Sequence, residues 1–316
     1  MIKIEKDKTL EIRNQDLVSV KKMGSIYEIC YSKYSNKGQT IQLIDKDHYM
    51  IMNTGEILQC NHINNRSESK AQVAQSLKRL RDYINTNVID PKKCKWITLT
   101  YRQEDRKPMR DTIRLYNDIK NFMKRLRYQY KGYQLEYIMA CEPQASGSWH
   151  GHLILIFDSI PPYIPNKTIE HLWQQGFTKT QKLNDIDNVG AYLTAYLGDM
   201  EFNKENISKL IDNGLNLSEI DFKQVDQIDG IKLKEPKSFI KGGRLYLYPP
   251  NFNLYRCSRG IKKPTKEYWQ YSVIKEKAGL TKPTYSKGIK LTDTDSIYNN
   301  TIVYEYYNTK RMANSN

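Results

Sequence analysis

Gly132-Tyr-Gln-Leu-Glu-Tyr-Ile-Met-Ala-Cys-Glu142, then Pro143-Gln-Ala-Ser-Gly-Ser-Trp149, then His150-Gly-His152-Leu-Ile-Leu-Ile-Phe157 is the stretch that decides how the chain reads. Segments rich in Tyr, Ile and Leu, bounded by Pro143, Gly147 and Asp158, predict two strands joined as a hairpin. Strand side chains alternate between the faces of a sheet, so His150 and His152 point the same way. Glu142 ends the preceding strand and reaches that same surface across the hairpin. Two imidazoles and one carboxylate on paired strands make a candidate divalent-metal site with open positions. Mixed nitrogen and oxygen donors suit manganese or magnesium as well as zinc. The plain alternative is a hydrogen-bonded histidine pair. Two of the chain's five histidines head one apolar strand here, with an acid one hairpin away, and that favours the metal.

Upstream, Lys95-Trp-Ile-Thr-Leu-Thr-Tyr101 predicts a strand, and residues 111–130 predict a helix. Ile113, Tyr116, Ile119, Phe122, Met123 and Leu126 follow helical spacing along it. An earlier helix is expected over residues 67–86, with Val73, Leu77, Leu80 and Ile84 on its apolar stripe. Downstream, Pro161–Pro165 is a rigid connection, followed by a helix from Asn166 or Thr168 through Gln175 and a strand over residues 176–183. A further helix runs from about Asp187 to Leu197 and ends at Gly198. It carries Tyr192 and Tyr196, one turn apart on one face. A helix near residues 204–213 and a mobile loop are expected in the acidic segment. Arg244-Leu-Tyr-Leu-Tyr248 has strand composition, as does Thr301–Tyr307 near the end of the chain. The strand, helix, strand, strand order predicts an α+β fold: a ferredoxin-like antiparallel sheet with helices on one face and the metal site on the other. Four segments are expected: a β-rich N-terminal extension over 1–65, a basic helix and linker over 66–94, the main domain over 95–265 with an acidic insertion near 199–235, and a tail over 266–316.

The formal charge is +15, and it is concentrated. Residues 66–131 hold 18 basic and 7 acidic side chains, and residues 236–288 hold 12 and 2, whereas 185–235 is net acidic. Two basic blocks flanking a neutral candidate site point to a polyanion, with nucleic acid first. Five scattered cysteines without a C-x-x-C pair argue for a reducing cytoplasm and against a disulfide framework. No apolar run approaches the roughly 20 residues that span a bilayer, and Met1–Lys8 lacks the apolar core of a signal peptide. A G-x-x-x-x-G-K-[ST] phosphate loop is missing from the sequence, so strand transfer driven by the chain's own nucleotide hydrolysis is not expected. In Leu254–Pro264, Arg256, Arg259, Lys262 and Lys263 alternate with Tyr255, a composition suited to phosphate contact and base stacking.

Taken in order, Trp96-Ile-Thr-Leu-Thr100, Glu142, His150-Gly-His152 and Tyr192-Leu-Thr-Ala-Tyr196 resemble the HUH-endonuclease rolling-circle replication initiators of bacterial plasmids, integrative elements and phages. Within that family the chain is similar to the two-tyrosine phage-type group. Lys241-Gly-Gly-Arg-Leu-Tyr-Leu-Tyr-Pro249 and Tyr255–Lys263 resemble its basic region, and the resemblance spans residues 95–265. Two positions depart from the pattern. Gly151 replaces a bulky apolar residue between the histidines. The position three residues after the nucleophile, often lysine, is Ala195 or Asp199 here, so a lysine's role would fall to a distant Lys or Arg.

The resemblance implies a metal-dependent, site-specific DNA endonuclease and strand transferase, bacterial and cytoplasmic. Magnesium or manganese would be held by Glu142, His150 and His152, with no nucleotide cofactor. Tyr192 and Tyr196 would attack origin DNA, presented single-stranded or as a melted hairpin, leaving a 5′-phosphotyrosine and a 3′-OH primer. Lys241, Arg244, Tyr255, Arg256, Arg259, Lys262 and Lys263 would grip DNA, and a host helicase and polymerase would follow. Conjugative relaxases place the tyrosine ahead of the histidines and transposases usually carry one tyrosine, so both fit less well. A DNA-binding regulator with a dead site and a hydrolytic metal nuclease are the readings from other classes.

Overall fold

The computed structural model describes residues 2–34, 40–103, 107–181, 183, 188–194, 197–214, 221–228, 231–293 and 299–313. The chain is α+β and divides into two compact units, residues 1–63 with 264–316, and residues 64–263.

In the first unit, β1 (Ile2–Lys6), β2 (Leu17–Met23) and β3 (Ile26–Ser32) are followed by β4 (Ile41–Leu43), β5 (His48–Ile51) and β6 (Ile57–Gln59). The last three form a small antiparallel sheet of their own. The β-rich character expected of the N-terminus is present.

The second unit contains α1 (Lys70–Asn87), β7 (Cys94–Thr100), α2 (Thr112–Gln129), β8 (Leu135–Pro143), β9 (Trp149–Phe157), α3 (Asn166–Trp173) and β10 (Thr178–Gln181). It continues through α4 (Val189–Thr194), β11 (Met200–Glu201), α5 (Lys204–Asp212), β12 (Phe222–Ile228), β13 (Ile231–Ile240) and β14 (Tyr255–Cys257). The central sheet has the antiparallel order β10-β7-β9-β8-β14. The order β7-α2-β8-β9-α3-β10 along the chain, with the four strands laid out in that way, is the ferredoxin-like split βαβ arrangement.

Each face of this sheet is apolar, because alternate residues of β7, β8 and β9 supply both. Ile97, Leu99, Met139, Leu153 and Leu155 pack with Leu115, Ile119, Phe122 and Leu126 of α2 and with Ile169 and Trp173 of α3. Asp111 starts α2 by accepting from the N–H groups of Ile113 and Arg114. Leu115 takes the buried place in the first turn of α2 and Ile113 stands exposed, because the stripe begins one position out of the expected phase. On the opposite face, Trp96, Ile138, Ala140 and Ile154 pack with Leu80 and Ile84 of α1 and Val189 of α4. Helices therefore cover both faces rather than one, and α1 and α4 share a face with Glu142, His150 and His152.

Residues 266–316, read from the sequence as a tail, contain β15 (Lys266–Gln270), α6 (Tyr271–Lys277), β16 (Tyr285–Asp293), β17 (Asn299–Asn308) and α7 (Thr309–Ala313). The three strands join β1, β2 and β3 in a six-stranded sheet ordered β1-β16-β17-β3-β2-β15. Its core contains Val18, Val20, Ile29, Tyr271, Ile274, Val303 and Tyr307. Two other expectations change. Part of the anticipated loop in the acidic segment is the β12–β13 hairpin. Arg244–Tyr248 is a 3-10 turn over Leu245–Leu247 rather than a strand. Gly242, at φ 65, bends the chain back and accepts from the Leu245 N–H, and the buried Leu245 plugs the bend.

Candidate metal and nucleophile site

The β8–β9 pairing sets Glu142 directly opposite His150, and Ala140 opposite His152. The expected convergence of the carboxylate and the two imidazoles on one face is therefore a matter of register. His152 Nε2 lies 3.1 Å from Glu142 Oε2, and the two histidine rings are 6.1 Å apart. Gly151, between them, points to the α2 face, where a Cβ would find only ordinary contacts with Leu99 and Met139. The departure at that position thus leaves the two imidazoles where a bulkier residue would.

The first unforeseen feature is Arg244. Its Nη2 stands 2.5 Å from Glu142 Oε1, its Nε donates to the Asp199 carbonyl, and its Nη1 donates to the Pro143 carbonyl at 3.2 Å. The Gly198 N–H also donates to Glu142 Oε1, at 2.8 Å. Asp199 in turn pairs with Lys223 and accepts from the Gly242 N–H. Burial alone would raise the Glu142 carboxyl, but Arg244, His152 and the Gly198 N–H outweigh it and hold the group below the usual carboxylate range. Burial, with help from His152, pushes the His150 imidazole down to about 4. His150 is therefore neutral near pH 7, as a metal ligand must be.

In kind, these donors fit a divalent cation. They comprise an ionised carboxylate, a neutral imidazole, and two buried ring nitrogens, His150 Nε2 and His152 Nδ1, without a hydrogen-bond partner among the described residues. The 3.1 Å between His152 Nε2 and Glu142 Oε2 matches the spacing of neighbouring ligands around an ion bound at about 2.1 Å. In position they are not yet a complete site. Among the described residues no three His, Cys, Asp or Glu side chains surround a common point. Arg244 and the Gly198 N–H take one carboxylate oxygen of Glu142, and His152 takes the other.

The helix expected to carry the tyrosines is α4, and its seating is specific. Gly190 lies so close to α1 that a Cβ would come within 2.6 Å of the Arg81 carbonyl and of Asn85 Oδ1. The Gly190 N–H donates to Asn85 Oδ1 at 2.9 Å, and Asn85 is buried. Asn188 caps the helix by accepting from the Ala191 N–H. Tyr192 belongs to α4, on the face of the sheet that bears Glu142, His150 and His152. Its ring, and Tyr196 entirely, lie outside the described residues.

The basic residues expected to grip DNA are not one surface. Tyr255 and Arg256 are neighbours on β14 and so face opposite sides of the sheet. Tyr255 packs edge-on against Tyr83 of α1, with ring centroids 5.9 Å apart. Arg256 lies 3.5 Å over the Tyr116 ring of α2. That ring stacks on Phe252, and Phe252 stacks on Trp149 at 4.4 Å, immediately before His150. Lys241 pairs with Asp221 at 3.6 Å, and Arg244 is committed to Glu142. Arg259, Lys262 and Lys263 are exposed, and the Lys262 backbone is tied to Asn87 at the end of α1 by reciprocal bonds of 2.9 and 2.8 Å.

Sequence reasoning missed Gly190, Asn85 and the true role of Arg244. A glycine inside a predicted helix was the available signal for the first; the other two are tertiary. This geometry lies in a region with a family match. Residues 94–201 match the family model described as replication-associated protein ORF2. The matched segment begins at β7 and ends with β11, so it contains Glu142, His150, His152 and the whole of α4. The match is consistent with a rolling-circle replication initiator. Comparison with curated proteins and with solved structures gave no match. Among the described residues, no helix is long and apolar enough to cross a membrane.

Proposed function

We propose that the chain is a rolling-circle replication initiator that nicks and rejoins single-stranded origin DNA through a 5′-phosphotyrosine. The observation that carries this reading is the register pairing of Glu142 with His150 and Ala140 with His152, on the sheet face against which α4 is packed, all inside the segment that matches a replication-associated family.

Glu142, His150 and His152 would hold magnesium or manganese. Such an ion acts as a Lewis acid toward a scissile phosphate, drawing charge from its non-bridging oxygens. A phenol has a reference pKa of about 10, so the tyrosine must shed its proton as it attacks. The Tyr192 or Tyr196 oxygen bonds to phosphorus, the bond to the 3′ oxygen breaks, and that oxygen leaves as a 3′-OH primer. The phosphotyrosine conserves the bond energy, so rejoining needs no nucleotide. Two tyrosines on one helix would allow a second transfer while the first holds the old end. A host helicase and polymerase would extend from the primer.

The decisive experiment incubates the protein and Mn²⁺ with labelled single-stranded origin DNA from its own element. A covalent adduct that chelator abolishes, and that is lost in Tyr192→Phe, Tyr196→Phe or the double variant, supports the proposal. Free cleavage product without adduct would mean a hydrolytic nuclease. Shifted but uncut DNA would mean a regulator, a second reading favoured by the saturation of Glu142 by Arg244, Gly198 and His152.

A further inference from the structure

The β8–β9 turn forms one wall of a cavity of about 520 Å³ within the second unit. Arg110, just ahead of α2, and Gly147 of the turn line it on one side. Lys209 of α5 lines the other, with Tyr246, Trp149 and Pro249 between. A space of this size is too large for a lone inorganic anion and falls within the range that takes a nucleotide-sized ligand.

Its chemistry has two components. Arg110 and Lys209 both act on the Tyr246 hydroxyl, drawing down a group that burial pushes up, so the two cations stand close to one aromatic ring. Arg110 is held in place from behind. Its Nη2 donates to the Ser146 carbonyl at 3.3 Å, and its carbonyl accepts from Trp149 Nε1 at 3.1 Å. At Gly147, φ is +86, and a Cβ would come within 2.7 Å of Arg110 Nε. The turn is thus shaped to let the guanidinium lie against it. Lys209 pairs with Glu205 at 2.5 Å, but Glu205 is 76% exposed, and an exposed pair is readily exchanged for a phosphate. Cations beside an aromatic ring, over an apolar floor, suit a phosphate and a planar base together.

We infer that this cavity is a subsite for an unpaired nucleotide of the DNA strand, its base against Tyr246 and its phosphate between Arg110 and Lys209. The inference rests on the nicking proposal only for the direction of the strand. The turn that walls the cavity runs from Pro143 to Trp149, directly between Glu142 and His150, so a nucleotide held here adjoins the scissile position. None of the residues read from the sequence as DNA-binding lies in it.

The test uses the full chain and a fluorescent oligothymidylate of about 12 nucleotides, with anisotropy read between about 50 and 200 mM salt. Arg110→Gln with Lys209→Gln should weaken binding about 10-fold and lower the salt slope by about 0.7 for the lost phosphate. Tyr246→Ala should weaken it several-fold, while Tyr246→Phe, which keeps the ring, should bind like the parent. Lys209→Gln alone, at a partly exposed position, keeps the test available if Tyr246→Ala does not fold. Photocrosslinking with 5-iododeoxyuridine should map to the peptide containing Tyr246. Unchanged affinity and slope in the double variant would overturn the inference. Thymidine 5′-monophosphate binding as tightly as the oligonucleotide would overturn the assignment to a strand. If no tyrosine adduct forms but oligonucleotide binding depends on Arg110 and Lys209, the nicking proposal fails and the subsite stands. If the adduct forms and these variants bind normally, the subsite alone fails.

Discussion

Arg244→Gln separates two physical accounts of one residue. Composition made Arg244 a DNA contact, and its geometry makes it the counter-charge of Glu142. The two side chains are 17% and 8% exposed, so the pair is largely withdrawn from water. Removing one member of a buried pair costs about 3–5 kcal/mol, because the other is left charged without compensation. Glu142 keeps the Gly198 N–H and His152, which places the expected loss nearer 2–3 kcal/mol. The pH dependence follows from the sign of the shift. The folded Glu142 carboxyl lies below its ordinary value of 4.5, so its contribution is present above that pH and is lost as pH falls through the folded value. In Arg244→Gln burial acts with less opposition and the folded value rises. The gap between parent and variant should therefore be full near neutrality and shrink under acid. Urea unfolding in chelator near neutrality and near pH 4 measures this, and a Glu142→Gln double-mutant cycle should show coupling above about 1 kcal/mol. Stability within about 0.5 kcal/mol of the parent, with a shallower salt slope for DNA, would refute the structural account and restore Arg244 as a phosphate contact.

Gly190→Ala should push α4 off α1, since the new methyl meets the Arg81 carbonyl and Asn85 Oδ1 at 2.6 Å. Overpacking of this kind costs about 1–3 kcal/mol, and a shift near 1 Å should slow adduct formation by about 100-fold, read in the labelled-DNA assay. In chelator, stability should fall as pH drops from about 6.5 toward about 4. The folded His150 resists the proton that the unfolded chain takes up, so His150→Asn should flatten that part of the urea-midpoint profile. In the first unit, the Tyr271 and Tyr307 hydroxyls both donate to Glu305 Oε2, at 2.8 and 2.5 Å. Glu305→Ala strands two buried donors at about 1–3 kcal/mol each, and hydrogen exchange should report it as faster opening of β16 and β17.

The central sheet was legible because its signals are local. Alternation through Tyr133–Phe157 fixes which residues share a face, and a single short turn fixes register, so Glu142, His150 and His152 could be grouped from the sequence. The helices were legible for the same reason, with apolar spacing in α1 and α2 and capping residues at their starts. The same local logic failed at Arg244–Tyr248. Alternating Leu and Tyr residues imitate a strand, yet Gly242 turns the chain and the apolar residues fill a bend. It failed also at Ile113, where one residue of phase decides between burial and water.

Long-range charge pairing was beyond reach, and it alters the site most. Arg244 stands about one hundred positions from Glu142, and nothing in Gly242-Gly-Arg-Leu245 marks it as different from the arginines around it. A basic segment read by composition is assumed to face a polyanion, but each cation first meets the chain's own carboxylates and rings. Arg244 meets Glu142, Lys241 meets Asp221, and Arg256 meets Tyr116. Such contacts consume charge that the composition counts as free, and they move the expected DNA surface toward cations with exposed or exchangeable partners. By that criterion Arg259, Lys262, Lys263 and Lys209 outrank Arg244 and Arg256. The lysine that the resemblance leads one to expect after the tyrosine has a counterpart of a different kind. The cation at this site arrives from the far side of the β12–β13 hairpin, and Glu142 can turn toward an ion only as far as Arg244 releases it.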